Sequence, residues 1–356
     1  MVRIDDDVVP EYETLPWVNG SRNMDIDKLL ADKYGERYRF YRREYHDSLN
    51  YQSGFQVPDF PLYIGLELVN RCNLSCVMCY TINHKNPKYT LTPELTEKIM
   101  TECQEHAMPS IGIGMHSEAF VHKGALDVIK AAVDADIMDL WISTNGVLLT
   151  EEVADFLVEQ QIPRLLVSLD AATPDTYTKI RGKNELETIE KNLDYLLRKK
   201  ETAGSQLPIL RVSFCVQDEN KNEVDSFMKK WKDRADWVDL QEIYDVQYVD
   251  EVDEDGAKTE EAAQLVPDRV HCAYPFHRLG VVSNGDVTPC CSFYGMNLVL
   301  GNVENESLEE IWKGEKINRI RNELITGNLN PVCKACLGAR DDSRMSEASD
   351  AIDQNG

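Results

Sequence analysis

The 356-residue chain carries 62 acidic and 38 basic residues, a formal net charge of −24, and a field of that sign repels phosphate backbones, so no nucleic-acid partner is expected. Hydrophobic residues make up 42% of it, enough for a sizeable core, yet no run approaches the ~18 uncharged apolar residues of a membrane span. The acidic start, MVRIDDDVVPEYE, has no apolar signal core, and the expectation is a cytoplasmic protein.

Residues 1–60 read as a mostly helical N-terminal extension, with MDIDKLLADKYGERYRFYRREYHDSLN as a helix docking on the surface. Between 61 and 249 short apolar runs alternate with amphipathic stretches. Strands are expected at 62–69, 110–115, 139–144, 164–170, 209–216 and 237–246. Helices are expected at 92–106, 125–135, 150–160 with Thr150 as N-cap, 185–201 and 221–234. Six strands with helices between them predict an α/β fold, a partial (β/α)6 TIM-like barrel with its catalytic groups at the C-terminal ends of the strands. The acidic stretch 250–268 reads as a solvated linker. Residues 269–339 form a small cysteine-rich unit. In it LGVVS and DVTPC flank the turn Asn284–Gly285 as a β-hairpin, and a helix covers SLEEIWKGEKINRIRNEL. The tail, 340–356, is polar enough to be disordered.

Ten cysteines in such a chain point to metal or redox work rather than disulfides. Cys72, Cys76 and Cys79 follow the first strand with the spacing C-x3-C-x2-C, and Tyr80 comes next. Three thiolates can ligate three irons of a cubane and leave the fourth open. A zinc site with His84 as fourth ligand is the bland alternative. Cys272, Cys290, Cys333 and Cys336 offer four thiolates for one closed site. Whether Cys290 or Cys291 is the ligand stays open, and a zinc ribbon is the rival reading.

The first cysteine motif, placed after the first strand of a β/α series, resembles the radical S-adenosylmethionine (SAM) superfamily. The resemblance continues in HSEAF, in STNG at the end of the third strand, and in VSLDAATPDTYTKIRG at the fourth. It implies a [4Fe-4S] cluster on Cys72, Cys76 and Cys79 that binds SAM and cleaves it to a 5′-deoxyadenosyl radical. It also implies cofactor contacts from Tyr80, Glu118, Ser143, Asn145, Ser168, Arg181 and Val216. Without that role Glu118 would cap a helix near Val121, and Arg181 would form a surface ion pair. The second cysteine set resembles the twitch domain, a shortened SPASM domain, and implies one auxiliary [4Fe-4S] cluster. Its spacing is similar to that of 2-deoxy-scyllo-inosamine dehydrogenase-type enzymes, which oxidise an aminocyclitol alcohol.

A fully ligated auxiliary cluster suits electron acceptance, which favours oxidation or epimerisation of a small polar substrate such as a sugar, cyclitol or nucleotide-sugar. The alternative is modification of a ribosomally made peptide by crosslinking, thioether formation or epimerisation. A non-catalytic electron carrier or zinc scaffold would bind no SAM. A reductant such as flavodoxin or ferredoxin is the implied partner. Candidate catalytic groups are Cys215, a hydrogen-atom donor if it points inward, and His116 or Glu242 as the base for a hydroxyl proton. Tyr244 and Tyr248 are candidate substrate contacts.

Overall fold

A computed structural model describes residues 24–83, 87–243 and 245–339. Six parallel strands follow one another in space as in sequence: β1 (Tyr63–Leu66), β2 (Ser110–Ile113), β3 (Asp139–Thr144), β4 (Arg164–Ser168), β5 (Ile209–Val216) and β6 (Trp237–Glu242). Each is short, β-branched or leucine-rich, and largely buried, as a sheet covered by crossover helices requires. Helix starts follow local chemistry. Thr92 and Thr150 cap the helices Pro93–Glu105 and Glu151–Glu159 by accepting from the amides of Leu95 and Val153. The α/β partial barrel expected from the strand–helix alternation is present.

The sheet does not stop at β1. Strand Arg278–Val281 pairs parallel to it, Tyr63 opposite Arg278 and Leu66 opposite Val281. Asp286–Thr288 and Gly301–Asn302 then extend the sheet antiparallel. Gly285, at φ 87°, makes the hairpin turn where the Asn-Gly pair predicts it. Glu67, buried after β1, accepts from the Ser283 amide at 3.0 Å and hydroxyl at 2.7 Å, which fixes the hairpin on the barrel. Glu102 on the first barrel helix caps the amides of Leu308 (2.9 Å) and Glu309 (2.8 Å). The cysteine-rich unit is therefore built onto the barrel by both sheet and cap.

Three expected elements differ. The 24–50 helix is two helices, Ile26–Tyr34 and Glu36–Leu49, because Gly35 turns at φ 62°. The C-terminal helix likewise breaks at Gly314 into Leu308–Lys313 and Glu315–Thr326. The stretch 250–268 is not a bare solvated loop. Val252, Ala262 and Leu265 are buried in the main core, and the Asn297 amide donates to the carbonyls of Val249 (2.6 Å) and Val252 (2.8 Å). Charge content masked those few apolar anchors. Residues 340–356 lie outside the described residues, as does the acidic start.

The two N-terminal helices close the N-terminal end of the barrel, packing Ile26, Leu30, Tyr38 and Tyr41 on Leu62, Met138 and Ile209. Beneath them lies a buried charge network. Arg164 at the start of β4 reaches Asp139 at 2.5 Å and Asp27 at 3.1 Å, and Asp27 accepts from Tyr38 at 2.6 Å. Burial alone would raise Asp27, but Arg164, Arg42 and Tyr38 outweigh it and hold the carboxyl below its usual range. That contribution is complete above pH ~4, where an unfolded carboxyl ionises, and is lost as pH falls through the lower folded value. Arg164→Leu strands two carboxylates and is expected to cost about 3–5 kcal/mol. A urea melt reads this as a lower midpoint at unchanged slope; a cost below about 1 kcal/mol would show that the helices are held by apolar packing alone.

Candidate functional site

The first cysteine loop leaves the C-terminal end of β1 and is held against the end of helix Pro174–Arg181. The amides of Ser75 and Val77 donate to the carbonyls of Arg181 (3.2 Å) and Ile180 (2.9 Å). Gly182 sits at φ +77°, and a Cβ there would lie 2.2 Å from Ser75 Oγ and 2.8 Å from Ser75 O. Three donors reach the sulfurs: Leu74 N and Asn145 Nδ2 approach Cys72 Sγ at 3.5 and 3.6 Å, and Arg181 Nη1 approaches Cys76 Sγ at 3.4 Å. Partial desolvation, then Glu118, Cys76 and Cys79, pushes the Cys72 thiol up, so the three sulfurs lie within one another's fields. The donor set is chemically that of an iron–sulfur cluster, soft thiolates stabilised by N–H groups.

The residues expected around the cofactor divide. Glu118 is buried and its carboxylate is engaged by the amides of Asn145 (2.7 Å) and Phe120 (3.2 Å) and the Thr144 hydroxyl (2.8 Å). It clamps the STNG turn and caps the short helix Ala119–Val121, as the capping reading of this residue expects. Asn145 turns to the cysteine loop, donating to Asn73 Oδ1 at 2.7 Å. Ser143 and Ser168 are half-buried on the inner ends of β3 and β4, with Ser168 Oγ 3.5 Å from Ser213 Oγ. Arg181 is no surface residue: it is buried, ion-paired with Asp170, and directed at Cys76. Tyr80 points to the acidic segment, its hydroxyl 2.5 Å from Asp250.

On β5, Phe214 packs outward on Phe227 with ring centroids 4.7 Å apart, so Arg211, Ser213 and Cys215 face the interior by alternation. Cys215 is half-buried there, and its amide donates to Asp170 at 2.7 Å. Val216, the last residue of β5, is buried and by the same alternation falls on the face of Phe214. Glu242 ends β6, but its side chain, like Tyr244 and His84, lies outside the described residues.

The second set converges. Burial, then Cys336, Cys291 and Cys272, pushes the Cys290 thiol up. Burial, then Cys272 and Cys336, does the same to Cys333. The structure also separates the adjacent cysteines. Cys290 Sγ faces this group, against Gly295, whereas Cys291 Sγ accepts from Arg278 Nη1 at 3.6 Å. Asn330 caps the helix Pro331–Gly338 that carries Cys333 and Cys336, and Ser292 Oγ lies 3.2 Å from Cys336 Sγ. Among the described residues, no three His, Cys, Asp or Glu side chains already surround a single-ion position.

His116 links the two sets. Its Nε2 lies 3.0 Å from the Cys291 carbonyl; a carbonyl only accepts, so Nε2 carries the proton and Nδ1 is bare, with no partner among the described residues. Burial pulls its pKa down to about 4, so the ring is neutral near pH 7. Phe293 stacks on His116 with centroids 4.9 Å apart and lies 5.2 Å from the Tyr80 ring. Sequence reasoning missed Phe293 and Asp170, although each adjoins a residue that it did single out. A groove between the helices Pro93–Glu105 and Ala125–Asp134, lined by Leu91, Met100 and Val128, is on the outer face of the barrel. Cys103 is a core thiol.

Comparison with known proteins agrees with this geometry. Residues 66–230 match the radical SAM superfamily, and residues 272–337 match SPASM, an iron-sulfur cluster-binding domain. A tungsten-containing aldehyde ferredoxin oxidoreductase cofactor-modifying protein of Pyrococcus furiosus is 24% identical over 314 residues, 77% of this chain and 86% of that one. A probable GTP 3′,8-cyclase of Methanocaldococcus jannaschii is 28% identical over 172 residues, 48% of this chain and 55% of that protein. Streptococcus suis SuiB bound to S-adenosylmethionine shares the fold, with TM-score 0.56 and 14% identity over 80% of this chain and 73% of SuiB.

Gly182→Ala would force the loop off the helix end without touching the second set. After anaerobic reconstitution, iron is expected to fall from about eight to about four per chain, with the Cys333–Cys336 site still loaded. Retention of all eight would show that the loop does not need this docking.

Proposed function

Because this chain belongs to the radical SAM superfamily and carries a SPASM-type iron-sulfur cluster-binding domain, we propose that it takes hydrogen from a small polar substrate, a sugar, cyclitol or nucleotide-sugar, and ends in oxidation or epimerisation. Cys72, Cys76 and Cys79 would hold the first cluster, and Cys272, Cys290, Cys333 and Cys336 the auxiliary one. When bound, these clusters and S-adenosylmethionine supply a carbon radical able to take hydrogen from an unactivated C–H bond, and a sink for the electron left behind. A reductant of flavodoxin or ferredoxin type would deliver the first electron.

The protein's own residues do the rest. The observation that carries the reading is the inner face itself: Ser168, Ser213 and Cys215 line it with hydrogen-bonding groups. Such a lining holds hydroxyls and orients a polar ring better than it holds a peptide side chain. Asp170 fixes the backbone at Cys215, so this thiol keeps a constant place at the end of β5. His116, neutral with a bare Nδ1, is the base available for a hydroxyl proton; its low basicity suffices to accept that proton from a hydroxyl made far more acidic once the carbon bearing it has lost its hydrogen atom. By their names, the Pyrococcus relative modifies a cofactor and the Methanocaldococcus relative cyclises a nucleotide, both non-peptide molecules, which supports the same substrate class.

Reconstituted protein is expected to release 5′-deoxyadenosine from SAM under a strong reductant, and Cys76→Ala to abolish this. Deuterated cyclitols or nucleotide-sugars should pass label into 5′-deoxyadenosine, whereas labelled peptides should not; the reverse pattern would replace the substrate class proposed here. Cys215→Ser then divides the outcomes. Loss of product with 5′-deoxyadenosine release retained means hydrogen-atom return and epimerisation, and unchanged product means oxidation. Protein that binds only zinc would overturn the assignment.

A further inference from the structure

Arg181 is placed to do more than meet a cofactor carboxylate. Its guanidinium is buried, with Nη1 3.4 Å from Cys76 Sγ and Nη2 ion-paired with Asp170. Asp170 adopts φ 60°, a left-handed conformation that costs a non-glycine residue energy and persists when its surroundings demand it. Its other oxygen takes the Cys215 amide at 2.7 Å, so the carboxylate cannot swing away without releasing β5. The backbone around Arg181 is equally fixed, since its carbonyl receives the Ser75 amide of the cysteine loop. Of the donors on the first three sulfurs, those on Cys72 are neutral amides, and the one on Cys76 is a cation.

A cluster gains negative charge when reduced. A buried cation that hydrogen-bonds one of its sulfurs stabilises the reduced form more than the oxidised form, and low dielectric enlarges the effect. We propose that Arg181, held by Asp170, is a positioning residue that orients Cys76 and raises the reduction potential of the first cluster before any cofactor binds. The inference rests on the cluster assignment above, but the experiment separates the two.

The test is an EPR-monitored redox titration of the anaerobically reconstituted full chain without S-adenosylmethionine. The first cluster is identified by the change in its signal when the cofactor is added afterwards. Arg181→Gln alone would leave Asp170 as an unpaired buried charge, so the double variant R181Q/D170N removes both charges together, and R181K keeps the charge while losing the planar fork. The double variant is expected to shift the first-cluster reduction equilibrium at least tenfold toward the oxidised form, about 59 mV for a one-electron couple. R181K should shift it in the same direction by less, and the auxiliary signal should not move. An unchanged first-cluster potential in both variants, with only weaker cofactor binding, would overturn the proposal and leave Arg181 as a carboxylate partner. Wild-type protein with no cofactor-responsive signal would instead overturn the cluster assignment itself. R181K alone decides the question if the double variant does not load its first cluster.

Discussion

The arrangement depends on one contact, the seating of an eight-residue cysteine loop on the end of the helix that follows β4. A loop carrying Cys72, Cys76 and Cys79 has little structure of its own. The loop makes one internal backbone turn, Cys79 N to Cys76 O, and is otherwise held mainly from outside, by the carbonyls of Ile180 and Arg181 and by Asn145 and Lys183 on Asn73. Gly182 allows the approach because any side chain there would meet Ser75. The thiols are thereby placed over the strand ends at a point set by β4 rather than by the loop's own sequence. Glu118 does the same for the turn after β3, locking Thr144 and Asn145, and Asn145 in turn reaches Cys72. The segments that follow four strands are thus joined through one small network.

The barrel divides its labour between its ends. At the N-terminal end, Arg164, Asp139, Asp27 and Tyr38 form a closed, mutually satisfied set under two helices, and nothing there is free to do chemistry. At the other end Ser143, Ser168 and Cys215 are half-buried, Glu118, Asp170 and Arg181 are buried among them, and several donors point at sulfur. The parallel pairing of Arg278–Val281 with β1 matters for this division. It continues the barrel sheet into the C-terminal unit in the same direction, the second hairpin strand runs back along it, and the segment that follows turns to His116, which meets the Cys291 carbonyl and the Phe293 ring. Glu67 and Glu102 hold that geometry from two sides. The stacking of Phe293 on His116 follows from it, and it places an aromatic ring between the segments that bear the two thiol sets.

Much of this was legible in the sequence because period and punctuation agree. Strands 139–144 and 209–216 fall at the residues that their apolar runs mark, and Thr150 caps where a threonine before an acidic first turn should. The cysteine spacing places both thiol sets. What was not legible depends on direction and on distance in sequence. Nothing in KIRG says that Arg181 turns inward to Cys76 rather than outward to solvent, since that choice is made by Asp170, eleven residues earlier, in a conformation that its type rarely adopts. The different surroundings of Cys290 and Cys291 are likewise set from a distance, by Arg278, which reaches the second of the pair from another strand. The acidic stretch misled for a related reason: three apolar residues, Val252, Ala262 and Leu265, suffice to anchor a segment that is otherwise mostly charged.

Burial of the thiols has a thermodynamic consequence that ties the site to the fold. Cys76, Cys290 and Cys333 are all pushed up by desolvation, so without metal they are neutral and behave as small apolar side chains. Cluster ligation needs them as thiolates, so assembly must release protons and place negative charge in a dry site. Donors already aimed at sulfurs of the two sets, the Leu74 amide and Asn145 at Cys72, Arg181 at Cys76 and the Ser292 hydroxyl beside Cys336, compensate that charge and are in place before it forms. Preorganised donors shift the cost of charge burial from the moment of assembly to the moment of folding. The first site, with a cation among its donors, is the better compensated of the two.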